Sequence, residues 1–284
     1  MEPIIAYFSN MPSLHRVLIL VGGLTLFSVI ETAAPLFELS YKRWKHALPN
    51  LFFTLTTILV NFPLAFLLVV AADWVTENRI GLLYLIDLPI WLFAILGVVL
   101  MDLIGAWLIH YIEHHVKWMW QFHLIHHTDQ HIDTTSGNRH HPGESVFRMV
   151  FTIIATLIVG ASIWIIFIYQ TLSVILTQFN HANVNMPKWL DDILLWVFVT
   201  PNMHRSHHHY RLPYSDTNYG NIFSFWDRIF GTYQLIDNKR IVYGVDTHMD
   251  EKETSNIWMM LKIPFQRYRP TPKYEKEESL KNQD

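Results

Sequence analysis

Two histidine-rich parts of this chain are separated by an apolar tract long enough to change the side of a membrane on which the chain lies. The tract runs from Val146 to about Phe179 and is broken at Gly160-Ala161-Ser162. Before it come His110 and His114, four apart, then His123, His126 and His127, at spacings of three and one. After it come His204, His207 and His208, which repeat the spacing of the second group. Of the 17 histidines, only His15, His46 and His248 fall outside the interval 110–209. Residues three and four apart share a helix face, so each group can present its rings together. Neutral imidazole is the commonest protein metal ligand and suits zinc, iron, copper and nickel. Eight imidazoles exceed the needs of one ion, since structural zinc takes about four ligands and catalytic zinc about three. Two ions sharing the set is the natural count. The groups can meet only if the tract re-enters on the side it left. A hairpin of two helices is therefore predicted over 146–179, rather than one tilted span.

The rest of the sequence supports a membrane setting. Hydrophobic residues make up 51% of the 284 and charged residues only 16%, well below the usual quarter. A net charge of −3 gives no electrostatic case for nucleic acid, and the absence of cysteine removes disulfides and thiolate-ligated clusters. Apolar runs from Leu14 to about Leu36, from about Leu51 to Ala72 with Pro63 as a kink, and from about Leu82 to Ile109 are long enough to span. The third runs directly into His110, so its last turns are expected to continue as helix into the polar phase. The opening MEPIIAYFSNMPS lacks the basic start of a cleavable signal peptide. The predicted fold class is an all-α integral membrane protein, with about four transmembrane helices or hairpin halves and a helical cap carrying the histidines. Residues 1–84 read as N-terminal membrane helices, 85–235 as the domain that carries the histidine groups and 236–284 as a C-terminal tail, mobile from about Tyr268. The segment Trp189 to Val199 is amphipathic and is expected along the interface. Lys42, Arg43, Lys45, Lys117, Arg139 and Arg148 fall on the histidine side of this topology, which places that side in the cytoplasm.

The pattern HX3H, HX2HH, HX2HH after hydrophobic spans resembles the fatty acid hydroxylase and sterol desaturase superfamily of membrane di-iron oxygenases. The resemblance extends over about 85–235. It includes Asp102 ahead of the first box, Arg139, His141, Pro142 and Glu144 as Arg-x-His-Pro-x-Glu, and His181-Ala182-Asn183. Thr200, Pro201 and His204 lead into the last box, followed by Asp216 to Gly220 and Trp226 to Thr232. One departure is Tyr111, where many members have Arg.

The resemblance implies two irons, O2 as co-substrate, and a lipid (fatty acyl, sterol-like or alkylglycerol-type) that is hydroxylated or desaturated. It implies as ligands His110, His114, His123, His126, His127, His204, His207 and His208, with His181 as a ninth. Ligating imidazoles need acceptors for their other N–H, which makes Asp102, Asp216, Asn218 and Asp227 candidates to hold them; His141 is a further candidate. His115, His131, His140 and His209 lie off the repeated spacing and are expected at the surface or behind the ligands. The chain has neither a haem-binding cytochrome module nor a Gly-rich dinucleotide fingerprint. A separate electron donor is therefore expected, a reductase with a carrier protein or a reduced pterin. Two other classes compete: a zinc membrane hydrolase, which lacks its HEXXH, and a metal transporter or metal-binding protein without oxygenase activity. Transport predicts ionisable residues at mid-membrane in several spans, and apart from Glu31, Asp87 and Asp102 the spans offer few.

Overall fold

The apolar stretches all fold as helices, and one end of nearly every long helix contributes to the same polar cap. The structure is a computed structural model that describes residues 1–272. A short helix α1 (Glu2–Ser9) precedes α2 (Ser13–Ala33), and α3 follows as one 36-residue helix, Arg43–Asn78. The third apolar stretch is α4 (Ile90–Asp102), a π-helical turn at Leu103–Leu108 and α5 (Ile109–His115), without interruption. After α6 (Lys117–His127), the tract at 146–179 divides at Gly160-Ala161-Ser162 into α7 (Pro142–Val159) and α8 (Ile163–His181). Among the described residues, five helical stretches are thus long and apolar enough to cross a membrane. Short helices α9 (Lys188–Leu194), α10 (Pro201–His207), α11 (Phe225–Ile229), α12 (Glu251–Thr254) and α13 (Ile257–Lys262) build the cap.

The hairpin is fixed at its far end by backbone geometry. Gly160 caps α7 in the left-handed region, with φ +77°, which costs glycine nothing and other residues about 1–3 kcal/mol. A Cβ there would sit 2.5 Å from the Ile80 carbonyl oxygen. That close approach joins the turn to the end of α3, away from the histidines. Between the two ends, Leu68, Ala72, Val98, Met101, Ala155, Val159, Ile165 and Ile166 form the apolar core of α3, α4, α7 and α8. At about 1.5 Å per residue, α7 and α8 each span about 27–29 Å, close to the thickness of a bilayer core.

The cap end is tied by polar groups. Glu31, fully buried at the end of α2, accepts the Thr134 amide at 2.6 Å and the Asn183 amide at 2.8 Å, and pairs with Arg43 at 3.1 Å. The helix α3 begins eight residues earlier than the apolar run, because its first turns rise into the cap. There His46 meets Asp129 at 2.8 Å and Asn50 donates to Thr135 at 2.9 Å. Residues 236–266 do not leave the cap. Met260 and Ile263 are buried against Phe53, Leu124 and Ile125, so this part of the expected tail closes over α6. Most of the stretch expected to be mobile lies outside the described residues. Along α9 and the turn after it, Trp189, Ile193 and Trp196 are exposed on one side, as an interfacial segment requires.

If the hairpin turn is set as described, Gly160→Ala lowers the melting temperature of the detergent-solubilised protein, at a cost of about 1–3 kcal/mol. An unchanged melting temperature would show that the turn tolerates a side chain.

Candidate metal centre

The π-helical turn ends just before His110, and π turns are frequent at functional sites. From there α5 carries His110 and His114, α6 carries His123, His126 and His127, α8 ends at His181, and α10 carries His204 and His207. Thr200 caps α10, accepting the Met203 amide, with Pro201 in the first turn. The nine imidazoles expected as ligands come together in two adjoining groups: His110, His114, His123, His127 and His207 in one, and His126, His181, His204 and His208 in the other. In each group the potential ligand atoms lie within 4.8 Å of one another. The groups touch where the rings of His127 and His208 stack at 4.6 Å and those of His123 and His126 stand 5.3 Å apart.

The ring orientation carries the chemistry. In the first group Nδ1 of His110 donates to the Tyr219 carbonyl (2.8 Å) and Nδ1 of His207 to the Thr217 carbonyl (2.6 Å). His123 Nδ1 meets Glu144 Oε1 at 2.7 Å, and His114 Nδ1 meets Asp216 Oδ1 at 3.1 Å. A carbonyl can only accept, so these rings carry their proton on Nδ1 and turn a bare Nε2 lone pair inward. His110 Nε2 and His123 Nε2 then face each other at 3.1 Å, as do those of His127 and His123. In the second group His181 donates from Nδ1 to the Thr177 carbonyl, and its Nε2 lies 3.2 Å from that of His126 and 3.0 Å from that of His204. Nε2 of His114 and of His207 is buried without a hydrogen-bond partner among the described residues, a loss of about 1–3 kcal/mol for each such group.

Converging lone pairs repel unless a cation lies between them. Imidazole binds first-row metals at about 2.1 Å, so two nitrogens on one ion stand roughly 3–3.5 Å apart, which is the spacing found. The donor set therefore fits two metal ions with imidazole ligands. Burial first, and then the neighbouring imidazoles, hold His123, His126, His127, His204 and His208 well below the ordinary histidine range; His207 is held down by burial and by His114.

Of the residues expected to hold the ligands, Asp216 bonds a clustered imidazole directly. Asp227 acts one step behind: it accepts the amides of Tyr219 and Gly220, both at 2.9 Å, and the Trp107 indole N–H at 2.9 Å, and so fixes the carbonyl that His110 uses. Asp102 accepts the amides of Ile222 and Phe223 at 3.2 Å. Asn218, at φ +57°, donates to the Met203 carbonyl at 3.1 Å and joins the same loop to α10. His141 lies outside both groups. It caps α7, accepting the Gly143 amide at Nδ1 and donating from Nε2 to the Leu261 carbonyl at 3.3 Å.

Glu144, Glu113, Arg148 and Tyr219 were given no role at the site by the sequence. Glu144, quoted only within its motif, also takes His140 at 2.8 Å and Arg148 at 2.9 Å, and Arg148 pairs with buried Glu113 at 2.7 Å. Spacing could have found Glu113, three after His110, and Arg148, four after Glu144. Tyr219 packs edge-on to His110 and His207 with its hydroxyl buried and unpartnered; its motif gave no such signal. His140, half-buried, stacks on His126 at 4.6 Å. His115, His131 and His209 join neither group.

Residues 94–232, which hold both groups, match the fatty acid hydroxylase family profile. This match, together with the relatives found, supports the fatty acid hydroxylase superfamily as the chain's own. Its relatives in the family include ornithine lipid hydroxylase OlsE of Rhizobium tropici, 26% identical over 61% of this chain and 50% of that protein. Alkylglycerol monooxygenase of Danio rerio is 30% identical over 56% of this chain and 33% of that protein. Very-long-chain aldehyde decarbonylase GL1-8 of Oryza sativa subsp. indica is 27% identical over 62% of this chain and 64% of that protein. The chain thus spans half or less of the first two relatives' lengths. No solved structure matches it.

These buried imidazoles make a pH prediction for chelator-treated protein. Their folded values lie below the unfolded value of about 6.5. Below that pH the unfolded chain binds more protons, so stability falls as pH drops from about 7 to about 5. The melting temperature of the chelator-treated protein should fall over that range, and one that stays flat would contradict neutral, buried rings.

Proposed function

We propose that the protein is a membrane-bound di-iron oxygenase that uses O2 to hydroxylate or desaturate a lipid. The observation that carries this reading is the inward turn of nine imidazoles whose outer nitrogens are held in large part by the protein. Imidazole suits iron, and two irons would supply the redox chemistry that O2 activation and C–H oxidation require. The protein's own part is to orient and to exclude water. Tyr219, Thr217 and Thr177 carbonyls and the Asp216 and Glu144 carboxylates fix ring orientation, while Met260, Ile263 and Leu124 seal the cap.

A lipid reading is supported by the relatives' names and by a cleft of about 820 Å³ between α2 and α3. Its walls are Leu24, Val29, Ala33, Trp44 and Leu51, and its roof is Arg43, Asp133 and Thr135. The loop forming that roof places Gly137 against His181, where a Cβ would lie 3.1 Å from Nδ1. An apolar chain in the cleft would approach the metal groups from the bilayer while a polar head stays at the interface. The basic residues on the histidine side, Lys42, Lys45 and Lys117 among them, support a cytoplasmic cap. Electrons come from a separate donor, a reductase with a carrier protein or a reduced pterin.

Metal transport fits less well. It would require a polar path from the histidines to the opposite end, but Glu113 and Glu144 lie beside the cluster and Asp102 is taken up by the Ile222 and Phe223 amides. Beyond them the helices face one another through Ala155, Val159, Ile165 and Ile166.

Purified full-length protein should contain close to two iron atoms per chain by elemental analysis. His207→Ala should abolish O2-dependent lipid product, read as a gain of one oxygen or a loss of two hydrogens by mass spectrometry, while helix content by circular dichroism is unchanged. Full activity in that variant would remove His207 from the metal and count against the oxygenase reading.

A further inference from the structure

The two imidazole groups are built to different standards. In the five-histidine group, four rings are anchored through Nδ1, and two of the anchors are carboxylates: Glu144 on His123 at 2.7 Å and Asp216 on His114 at 3.1 Å. In the four-histidine group only His181 is anchored among the described residues, to a backbone carbonyl at 2.8 Å. Nδ1 of His126, His204 and His208 is buried with no hydrogen-bond partner among the described residues. Neither a carboxylate nor a carbonyl orients those three rings.

Three consequences follow from the chemistry of imidazole. A carboxylate accepting from Nδ1 raises the basicity of the opposite nitrogen and fixes the tautomer that binds metal. Two nearby anionic oxygens also offset the charge of a cation brought into a dry interior. An unanchored ring must still choose its tautomer and orientation when the ion arrives, and that ordering opposes binding. All three favour the five-histidine group.

Resting on the di-metal reading above, we propose that the sites are unequal: the five-histidine group is the tight one and fills first, and the four-histidine group holds a labile ion. Asp216 is a positioning residue for the tight site. Its side chain is 40% exposed, so it can be changed without opening the core.

The test uses the full-length chain in detergent, loaded with Zn2+ as a redox-inert probe and dialysed against graded EDTA, with the metal retained per chain counted by elemental analysis. Unequal sites release the two ions in separate steps. Asp216→Asn is expected to weaken the tighter step by about 10–100-fold, the usual effect of losing a carboxylate behind a ligating histidine, and to leave the weaker step in place. Asp216→Glu should restore the tighter step in part, and His204→Ala should remove the weaker ion alone. Release of both ions in one step, a tight step indifferent to Asp216→Asn, or loss of the tight ion in His204→Ala would overturn the inference. Two ions of equal lability would leave the proposed function standing and defeat only the inequality. A chain that retains no Zn2+ or iron would defeat both.

Discussion

Nine neutral rings packed with their lone pairs toward one another are a source of repulsion in a dry interior, and become an asset only around cations. The architecture follows from bringing those rings together. The Nε2 atoms of His110 and His123 come from residues 13 apart, those of His181 and His204 from residues 23 apart, and those of His126 and His181 from residues 55 apart. Such pairs share one space only if every helix bearing a histidine opens at the same end of the bundle. The hairpin of α7 and α8 provides this. A single continuous span would have carried His181 and the last box to the opposite surface.

The loop from Asp216 to Asp227 turns that convergence into a defined site. Its carbonyls at Thr217 and Tyr219 and its carboxylate at Asp216 receive three ring protons. The loop is itself held by acceptors that touch no imidazole: Asp227 on the Tyr219 and Gly220 amides, and Asp102 on the amides of Ile222 and Phe223. A buried carboxylate accepting several N–H bonds satisfies donors that the loop could not otherwise hide from water. Asp102 lies immediately before the π-helical turn, so the element that sets the direction of His110 also grips the loop to which His110 bonds. Orientation on both sides of this ring has one origin.

Much of this was legible before any coordinates. The spacing of His110 with His114 and of the two HX2HH groups gave shared helix faces, and the need for them to meet gave the hairpin and its break at Gly160. The first turns of α3 were not legible, because Arg43, Lys45 and His46 lie ahead of the apolar run that starts at about Leu51, although they are helical. Their helix is stabilised by tertiary contacts, His46 to Asp129 and Arg43 to Glu31, which no local pattern reveals. The sequence pointed to Asp102, Asn218 and Asp227 as residues that support the ligands, but not to what they grip, which is backbone rather than imidazole. It also favoured His141 over His140 as a residue at the site. They are adjacent, and only the cap geometry shows that His141 starts a helix while His140 stacks on His126.

The central claim is that imidazole nitrogen, drawn from distant parts of the chain, surrounds the metal. X-ray absorption at the iron edge of the purified protein tests it most directly. The account predicts a nearest shell dominated by nitrogen at about 2.1 Å, with the outer-shell scattering of imidazole rings. An oxygen-rich shell without imidazole scattering would contradict it.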